Sequence, residues 1–505
     1  MLRTMQKNNI PTSSSSNELG RQQAVTIDQL LTCLADCGDV RRETHLFGPC
    51  NNSYKVTLIY CECLADMKQL HQYVIPLLTS LLEKADSLEH LNRNNPLTLQ
   101  PILPTAGIQD VEATLFSGQL IMGIEQENLL YSVNIANPPN RSPEESNTEI
   151  SIKGPKDGFT EDLSMNIALI RKRMRTRSLK CENYTIGVRS QTKVSLMYVS
   201  DIMNPDILNE VRQRLQKIDT DAVVSSSQLG EALGDSKYAL FPLLDYIGRP
   251  DYVVQSLVRG RFIIIVEGTP MVLIGPANLL LTLKSPEDIH FPYFFVAFQR
   301  ILRFIGLFIS IFMPGIWISL IAFNLEQLPF SLLATVTITR LGLPFSAPME
   351  MILMLGLFEI FREAGIRLPK AVGQTIAVVG GLIVGDAAIR AGLSSSTTLV
   401  VAAVTAVATF TLVNQSLSGT VSILRVFVLL ASSILGMYGF ILSLMTIVFY
   451  LSIQQTFGIP YLSPISPPIF KDMFVALFSL PVKILKRRPA MLNTTDDTRQ
   501  GEDST

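Results

Sequence analysis

The sequence predicts an α/β cytoplasmic head of two small subdomains followed by a polytopic α-helical membrane domain. Two observations carry this. Only eleven residues are charged between Phe304 and Phe470, whereas the chain before them is ordinarily polar. That later stretch holds several apolar runs close to the length of about 20 residues that a bilayer core demands. The earlier stretch alternates strand-like and helix-like runs, the mark of small α/β units.

Composition also excludes function classes. Formal net charge is -1, and no basic patch with interleaved aromatics appears, so nucleic acid is not an expected partner. No GxGxxG follows a strand, and GxxxxGK[ST], HExxH and GxSxG are absent. No catalytic residue and no cofactor is therefore expected.

Residues 1–25 read as a disordered leader. They are polar, carry a serine run at Ser13–Ser16, and lack the apolar segment of a secretory signal, so the head is expected to stay cytoplasmic. The first subdomain covers 26–150. Ile27, Leu30, Leu31 and Leu34 recur at helical spacing, Tyr54–Leu64 is a β-type run, and an amphipathic helix follows from Asp66 to Lys84. Strand-like runs recur at Gln119–Ile124 and Leu129–Val133, before a polar loop at Asn134–Thr148. All six cysteines (Cys33, Cys37, Cys50, Cys61, Cys63, Cys181) lie in the head. A metal site drawing on Cys33, Cys37, Cys61 and Cys63 with His45 or His71 fits no common zinc spacing, so buried thiols are the preferred reading.

The second subdomain covers 151–283. Thr160 is the expected cap of a helix with its apolar stripe at Phe159, Leu163, Ile167 and Ile170. The basic run Arg171–Arg177 has two readings: a solvated helix end facing its own dipole, or a contact with anionic lipid or a partner chain. A strand at Lys193–Ser200, a helix at Pro205–Ile218, and two strands at Arg261–Glu267 and Met271–Ile274 around a Gly268-Thr269-Pro270 turn complete it. Tyr252–Leu257 fits a strand or a short helix. Residues 284–297 form a neck in which Ser285 caps a short acidic helix.

The membrane domain spans 298–453 with five or six helices. The apolar runs are Phe298–Phe323, Leu328–Leu341, Met349–Ala364, Ala371–Ala391, Thr397–Val413 and the long Val421–Ser452, with a break expected at Gly436–Gly439. Arg300 and Arg303 before the first run, and Lys483, Lys486, Arg487 and Arg488 after the last, place both ends on the cytoplasmic side. An even number of crossings follows, which favours a short Leu328–Leu341 that does not cross and a last segment that bends back. Asn414-Gln415-Ser416 reads as a solvated loop. Residues 454–488 form a Pro-containing amphipathic segment that suits a membrane surface. Residues 489–505 read as a disordered tail.

Charges inside an apolar region mark a pathway or a buried partner. Glu359 and Glu363 share one helix face with Arg362 and Arg367, which suits i,i+4 ion pairs. It also suits an acidic ring lining a cation path when subunits repeat around an axis. Glu350 points to the opposite side, just after a Pro344–Pro348 hinge, and has the least obvious partner. Glu350, Glu359 and Glu363 are the ion-path candidates. Gly373, Ala377, Gly381 and Gly385 make a small-residue ridge for helix packing. Asp386 and Arg390 stand four apart and are expected to pair.

Four stretches carry a family resemblance: GPKDGFTEDLSMNIALIRKRM (Gly154–Met174), VRGRFIIIVEGTPMVLIGPA (Val258–Ala277), the neck SPED with Arg300 and Arg303, and LPFSAPMEMILMLGLFEIFREAGIRLPKAVGQTIAVVGGLIVGDAAIRAG (Leu343–Gly392). They resemble the A subunits of bacterial spore germinant receptors, the GerA-type family. The resemblance implies residence in the spore inner membrane. It further implies a transporter-like B subunit that binds nutrient, a lipoprotein C subunit, and a homo-oligomer of A subunits around a pore releasing monovalent cations. An accessory subunit that relays the germination signal without conducting is the alternative. A secondary transporter ranks last, because no internal repeat relates the halves of the membrane region.

Overall fold

The structure is a computed structural model that describes residues 26–48, 53–83, 97–102, 107–126, 129–137, 151–236, 238–367, 385–481 and 484–499. The chain divides into two compact units. One holds Met1–Ala35, Val40–Pro138 and Arg175–Arg177; the other holds Asp36–Asp39, Pro139–Met174 and Ser178–Thr505.

The first unit is built on an antiparallel sheet of strands β1 (Val40–Phe47), β2 (Tyr54–Cys61), β3 (Gln100–Pro101), β4 (Leu120–Ile124) and β5 (Leu129–Val133), in the order β1-β2-β4-β5-β3. Helix α1 (Ile27–Cys33) opens on a capping box in which Thr26 Oγ1 accepts from Gln29 N. Met67–Gln69 and a π segment, Leu70–Val74, lead into α2 (Ile75–Glu83), whose Leu78 and Leu82 pack on Val56, Leu58 and Leu120 of the sheet. Helix α3 (Ile108–Leu115) completes the unit. Among the described residues no group of three or more His, Cys, Asp or Glu side chains is arranged to hold a metal ion.

The second unit repeats this plan. Strands β6 (Leu179–Ile186), β7 (Thr192–Val199), β8 (Asp245–Ile247), β9 (Phe262–Val266) and β10 (Val272–Gly275) pair in the order β6-β7-β9-β10-β8, the same permutation as the first sheet. Helix α4 (Leu163–Arg173) precedes β6 as α1 precedes β1. Its cap is Asp162, whose carboxylate accepts from Ser164 N and Met165 N, and not Thr160. Thr160 is instead engaged by Asn166, whose Oδ1 accepts from Thr160 N at 2.8 Å and whose Nδ2 donates to Thr160 O at 2.6 Å. The basic run is partly consumed inside the protein. Arg171, fully buried, makes a two-pronged ion pair with Asp39 at 2.6 and 2.9 Å, so it faces no lipid. Helices α5 (Pro205–Lys217), α6 (Ser226–Leu233) and α7 (Pro250–Val258) follow, which makes Tyr252–Leu257 helical. Gly268, at φ +82, supplies the left-handed residue of the β9–β10 turn.

After the short helix α8 (Leu279–Thr282) and a 3-10 turn at Pro286–Ile289 come the long helices. They are α9 (Tyr293–Phe323), α10 (Phe330–Arg340), α11 (Ala347–Arg367), α12 (Ser396–Phe410) and α13 (Gln415–Ile453). Among the described residues, α9 and α13 are long and apolar enough to cross a membrane. Helix α10, with 11 residues, extends about 16 Å, half a bilayer core. Helix α11, with 21 residues, is longer than the run that announced it, because Ala347 and Pro348 already belong to its first turn.

Helix α13 is broken once, at Gly436, where φ is +61 and ψ -137. Beyond that break the chain reverses. A Cβ on Gly439 would stand 2.1 Å from Ala431 O, whereas eight residues of straight helix would separate them by about 12 Å. Consistently, Thr420 Oγ1 donates to Leu240 O while Tyr450 Oη accepts from Leu240 N, so both arms of α13 end at the same head loop. The first arm runs parallel to α9: Gly315 lies against Val428 and Phe323 against Gly436.

Two expectations are corrected here. Asn414 is not merely solvated: its Oδ1 caps α13 by accepting from Leu417 N, and its Nδ2 donates to Asp245 Oδ1 at 2.6 Å. Nor are residues 489–499 a disordered tail. Leu492 is 1% exposed and joins the core of the second sheet together with Phe457, whose ring meets Phe262 edge-on at 5.0 Å. Thr495 N donates to Ile202 O, and Arg488 Nε to Val258 O. One leucine, a few backbone bonds and the side chains of Arg488 and Thr495 hold the tail, too weak a pattern to read from sequence. Helix α14 (Phe470–Phe478) exposes Phe470 and Phe474, as a surface-seeking amphipathic helix would.

Candidate functional site

Three charged clusters organise the helical region and its junction with the head. The first lies at the end of the helices remote from the head. Glu350, in the first turn of α11, is completely buried. Its Oε2 accepts from Ser395 N at 3.0 Å and Ser395 Oγ at 2.9 Å, and Ser395 is itself the N-cap of α12. The carboxylate thus sits where the unpaired amides and the dipole of α12 favour negative charge. Ser395 Oγ carries a single proton. With that proton on Glu350, the Thr398 hydroxyl 2.8 Å away donates back to Ser395. Glu350 Oε1 faces Arg340 Nε at 3.6 Å, and neither atom has a hydrogen-bond partner among the described residues. Glu350, whose partner is the least obvious in the sequence, has two, one tight and one loose.

The second cluster lies nine residues along α11, about 14 Å nearer the head. Glu359 pairs with Arg362 on its own helix and with Arg425 Nη2 at 3.0 Å on α13. Arg425 also donates to Thr409 Oγ1 at 3.1 Å and Ser422 Oγ at 3.0 Å, and Arg362 donates to Ser418 Oγ at 3.2 Å. Three helices are stitched together at this level. Glu363 lies on an exposed part of α11; the side chain of Arg367 lies outside the described residues. Asp386 and Arg390 pair at 2.8 Å, both exposed. Gly373, Ala377 and Gly381 lie outside the described residues, while Gly385 packs against Leu399 with room for an added methyl at ordinary contact distance.

The third cluster is the neck. Ser285 Oγ accepts from Glu287 N and caps the turn. Glu287 pairs with the buried Arg249 of the head. Asp288 holds Arg303 Nη2 at 2.9 Å and Arg300 Nε at 2.9 Å on α9. Adjacent acids thus grip the head on one side and the long helix on the other. Arg249 also reaches Asp251 at 2.6 Å, and His290 Nε2 lies 2.9 Å from the same carboxylate. Burial alone pushes the Asp251 carboxyl up, but the hydrogen bonds from Arg249 and His290 outweigh it and hold it below its ordinary value.

The family model for the Bacillus/Clostridium GerA spore germination protein matches residues 28–491. Spore germination protein XA of Bacillus anthracis is 42% identical over 92% of this chain and 95% of its own length. The chain belongs to the GerA spore germination family. The Bacillus subtilis membrane protein YfkQ is 33% identical over 91% of the chain and 89% of its own. The crystal structure of the N-terminal domain of the A subunit of the Bacillus megaterium spore germinant receptor GerK3 aligns with 51% of this chain and 96% of its own, at 25% identity and a TM-score of 0.37. The GerA family is one of germinant-receptor A subunits, not of known enzymes.

Within this GerA chain, sequence reasoning missed Arg425 and the division of labour between Glu287 and Asp288. Arg425 had a usable signal, being the single charge between Gln415 and Ile453, where a lone guanidinium calls for a partner. The neck had none, since adjacent acids at a helix start look like dipole partners.

Proposed function

We propose that this chain is the A subunit of a nutrient germinant receptor, inserted in the spore inner membrane with its head and C-terminal tail cytoplasmic, and that it forms or gates a path for monovalent cations. It would act with a transporter-like B subunit and a lipoprotein C subunit, as one copy of a homo-oligomer. The observation that carries the reading is the loose Arg340–Glu350 pair. A buried carboxylate with one oxygen facing a guanidinium at 3.6 Å, unbonded, is an ion pair whose opening breaks no hydrogen bond between them. Displacing Arg340 would leave a carboxylate amid Ser395 and Thr398 hydroxyls, an oxygen set that suits a cation.

The test is potassium flux from liposomes holding the assembled receptor, with Glu350→Gln, Glu359→Gln and Glu363→Gln compared singly. The reading expects Glu350→Gln to change nutrient-triggered flux most. Normal flux in all three assembled variants would end it. The closed network of Glu359 with Arg362 and Arg425 favours a second reading, a subunit that relays the signal mechanically. Regular conductance steps from this chain alone would count against that.

A further inference from the structure

The two sheets share more than their strand order. Residues 55–60 of β2 read KVTLIY and residues 193–198 of β7 read KVSLMY, while GQLIMGIE at 118–125 matches GRFIIIVE at 260–267. The bonds repeat with the letters. Tyr60 Oη donates to Glu43 Oε1 at 2.7 Å, and Tyr198 Oη to Glu182 Oε1 at 2.7 Å. Glu43 and Glu182 stand opposite the matching leucines, Leu58 and Leu196. Glu125 N donates to Lys55 O as Glu267 N does to Lys193 O. The turn after α3 holds Gly118 at φ +96, with Ser117 N and Gln119 N both donating to Thr114 O. The turn after α7 holds Gly260 at φ +90, with Arg259 N and Arg261 N both donating to Ser256 O. Matching letters, register and turns make the two units copies of one module.

The copies differ at one edge. In the first, the chain leaving β5 folds straight back. Ile135 joins the core at 1% exposure, Asn137 N donates to Leu64 O at 2.9 Å, and a Cβ on Gly118 would press on Ala136. In the second, the chain leaving β10 departs into α8, where Ala277 N bonds Leu243 O and Leu279 N bonds Tyr461 O. The place it vacates is taken by the end of the chain. Leu492 enters the core, Thr495 N donates to Ile202 O at 3.0 Å, and a Cβ on Gly260 would press on the Thr494 methyl. Ile202 is the counterpart of Leu64, each four residues past its matching tyrosine. Asp66 N donates to Ile135 O at 2.8 Å, and Asn204 Nδ2 reaches Leu492 O at 3.5 Å in the same position.

We propose that the second sheet carries a docking groove for an extended peptide, and that residues 486–499 are the separable segment it recognises. The groove is formed by Ile202, Met203, Asn204, Val258 and Gly260, which meet the tail through the contacts above and through Thr495 Oγ1 to Met203 O and Arg488 Nε to Val258 O. One apolar side chain enters the core and the backbone around it is paired, the division of labour that extended-peptide recognition uses. Without the segment, the Ile202 carbonyl would lose its partner and the core beside it its cover. The segment also reaches the helical region. Asp472 Oδ2 of α14 accepts from Ala490 N at 2.7 Å, and Arg300 Nη1 of α9 donates to Ala476 O of α14 at 3.0 Å. Docked, the tail ties the second sheet to α14 and through it to α9; undocked, that tie is lost.

The test supplies the segment from outside. A chain ending at Leu485, purified in detergent, is mixed with a fluorescently labelled peptide of residues 486–499. Anisotropy should show saturable binding to the shortened chain and none to the full chain, whose groove is filled. The peptide should also raise the Tm of the shortened chain by several degrees. A peptide carrying Leu492→Asp should bind about tenfold more weakly or worse, the loss expected for one buried leucine. Where the shortened chain does not fold, the full chain carrying Leu492→Asp takes its place, since its own tail should detach and leave the groove to the wild-type peptide. No binding to either chain, equal binding to the unaltered full chain, or undiminished binding of the Leu492→Asp peptide overturns the proposal.

Discussion

Phe323, the last residue of α9, lies against Gly436 at the break of α13, where a Cβ would stand 2.8 Å from its ring. Both the space and the backbone at Gly436 demand glycine, since φ +61 with ψ -137 is closed to other residues. Gly436→Ala should therefore cost about 1–3 kcal/mol from the backbone alone, with further loss as Phe323 is displaced. Thermal melting of the detergent-solubilised chain measures it. Gly419→Ala is the control, because nothing lies within 4 Å of its Cβ position. Equal stability of the two variants would mean that the helix does not reverse at Gly436.

The Glu359–Arg425 pair yields a double-mutant test. Arg425 has a side chain only 6% exposed, while Glu359 is 39% exposed. Truncating the acid leaves a buried guanidinium with hydroxyl partners and no neutralising carboxylate on its helix. Glu359→Leu should destabilise by roughly 1–2 kcal/mol, discounted for the exposure of the carboxylate. The double variant Glu359→Leu with Arg425→Leu should lose less than the two singles summed, because the buried guanidinium of Arg425 is gone and only the more exposed Arg362 is left without its carboxylate. Strict additivity in melting experiments would show that the two residues do not depend on each other.

What sequence made legible followed from period and composition. The apolar helices, the β9 run with all five residues buried, and the Asp386–Arg390 pair each rest on local pattern, and local pattern is visible in one strand of letters. The repeat of one strand order in both sheets was hidden, because topology depends on pairing between distant segments. Glu350 stands out in the sequence as a carboxylate with no obvious partner, yet Ser395 is 45 residues away and Arg340 lies on another helix. The docking of Leu492 was equally hidden, since a single apolar residue in a polar tail has no period.

The same tail gives a pH test. Hydrogen bonds from Thr498 and from Arg488 hold the Asp496 carboxyl down, to about 2. A carboxyl depressed in the folded state stabilises above its unfolded value of about 4 and loses that contribution as pH falls through the folded value. Tail docking should thus be indifferent to this group between pH 7 and pH 4 and weaken from there toward pH 2. Hydrogen exchange at the amides of Arg488, which bonds Asp497 O, and Thr495, which bonds Ile202 O, reads it directly. Asp496→Asn should expose these amides at pH 7 and remove the acid-dependent step. Unchanged protection in the variant would mean that Leu492 and the backbone hold the tail without the Arg488 clasp.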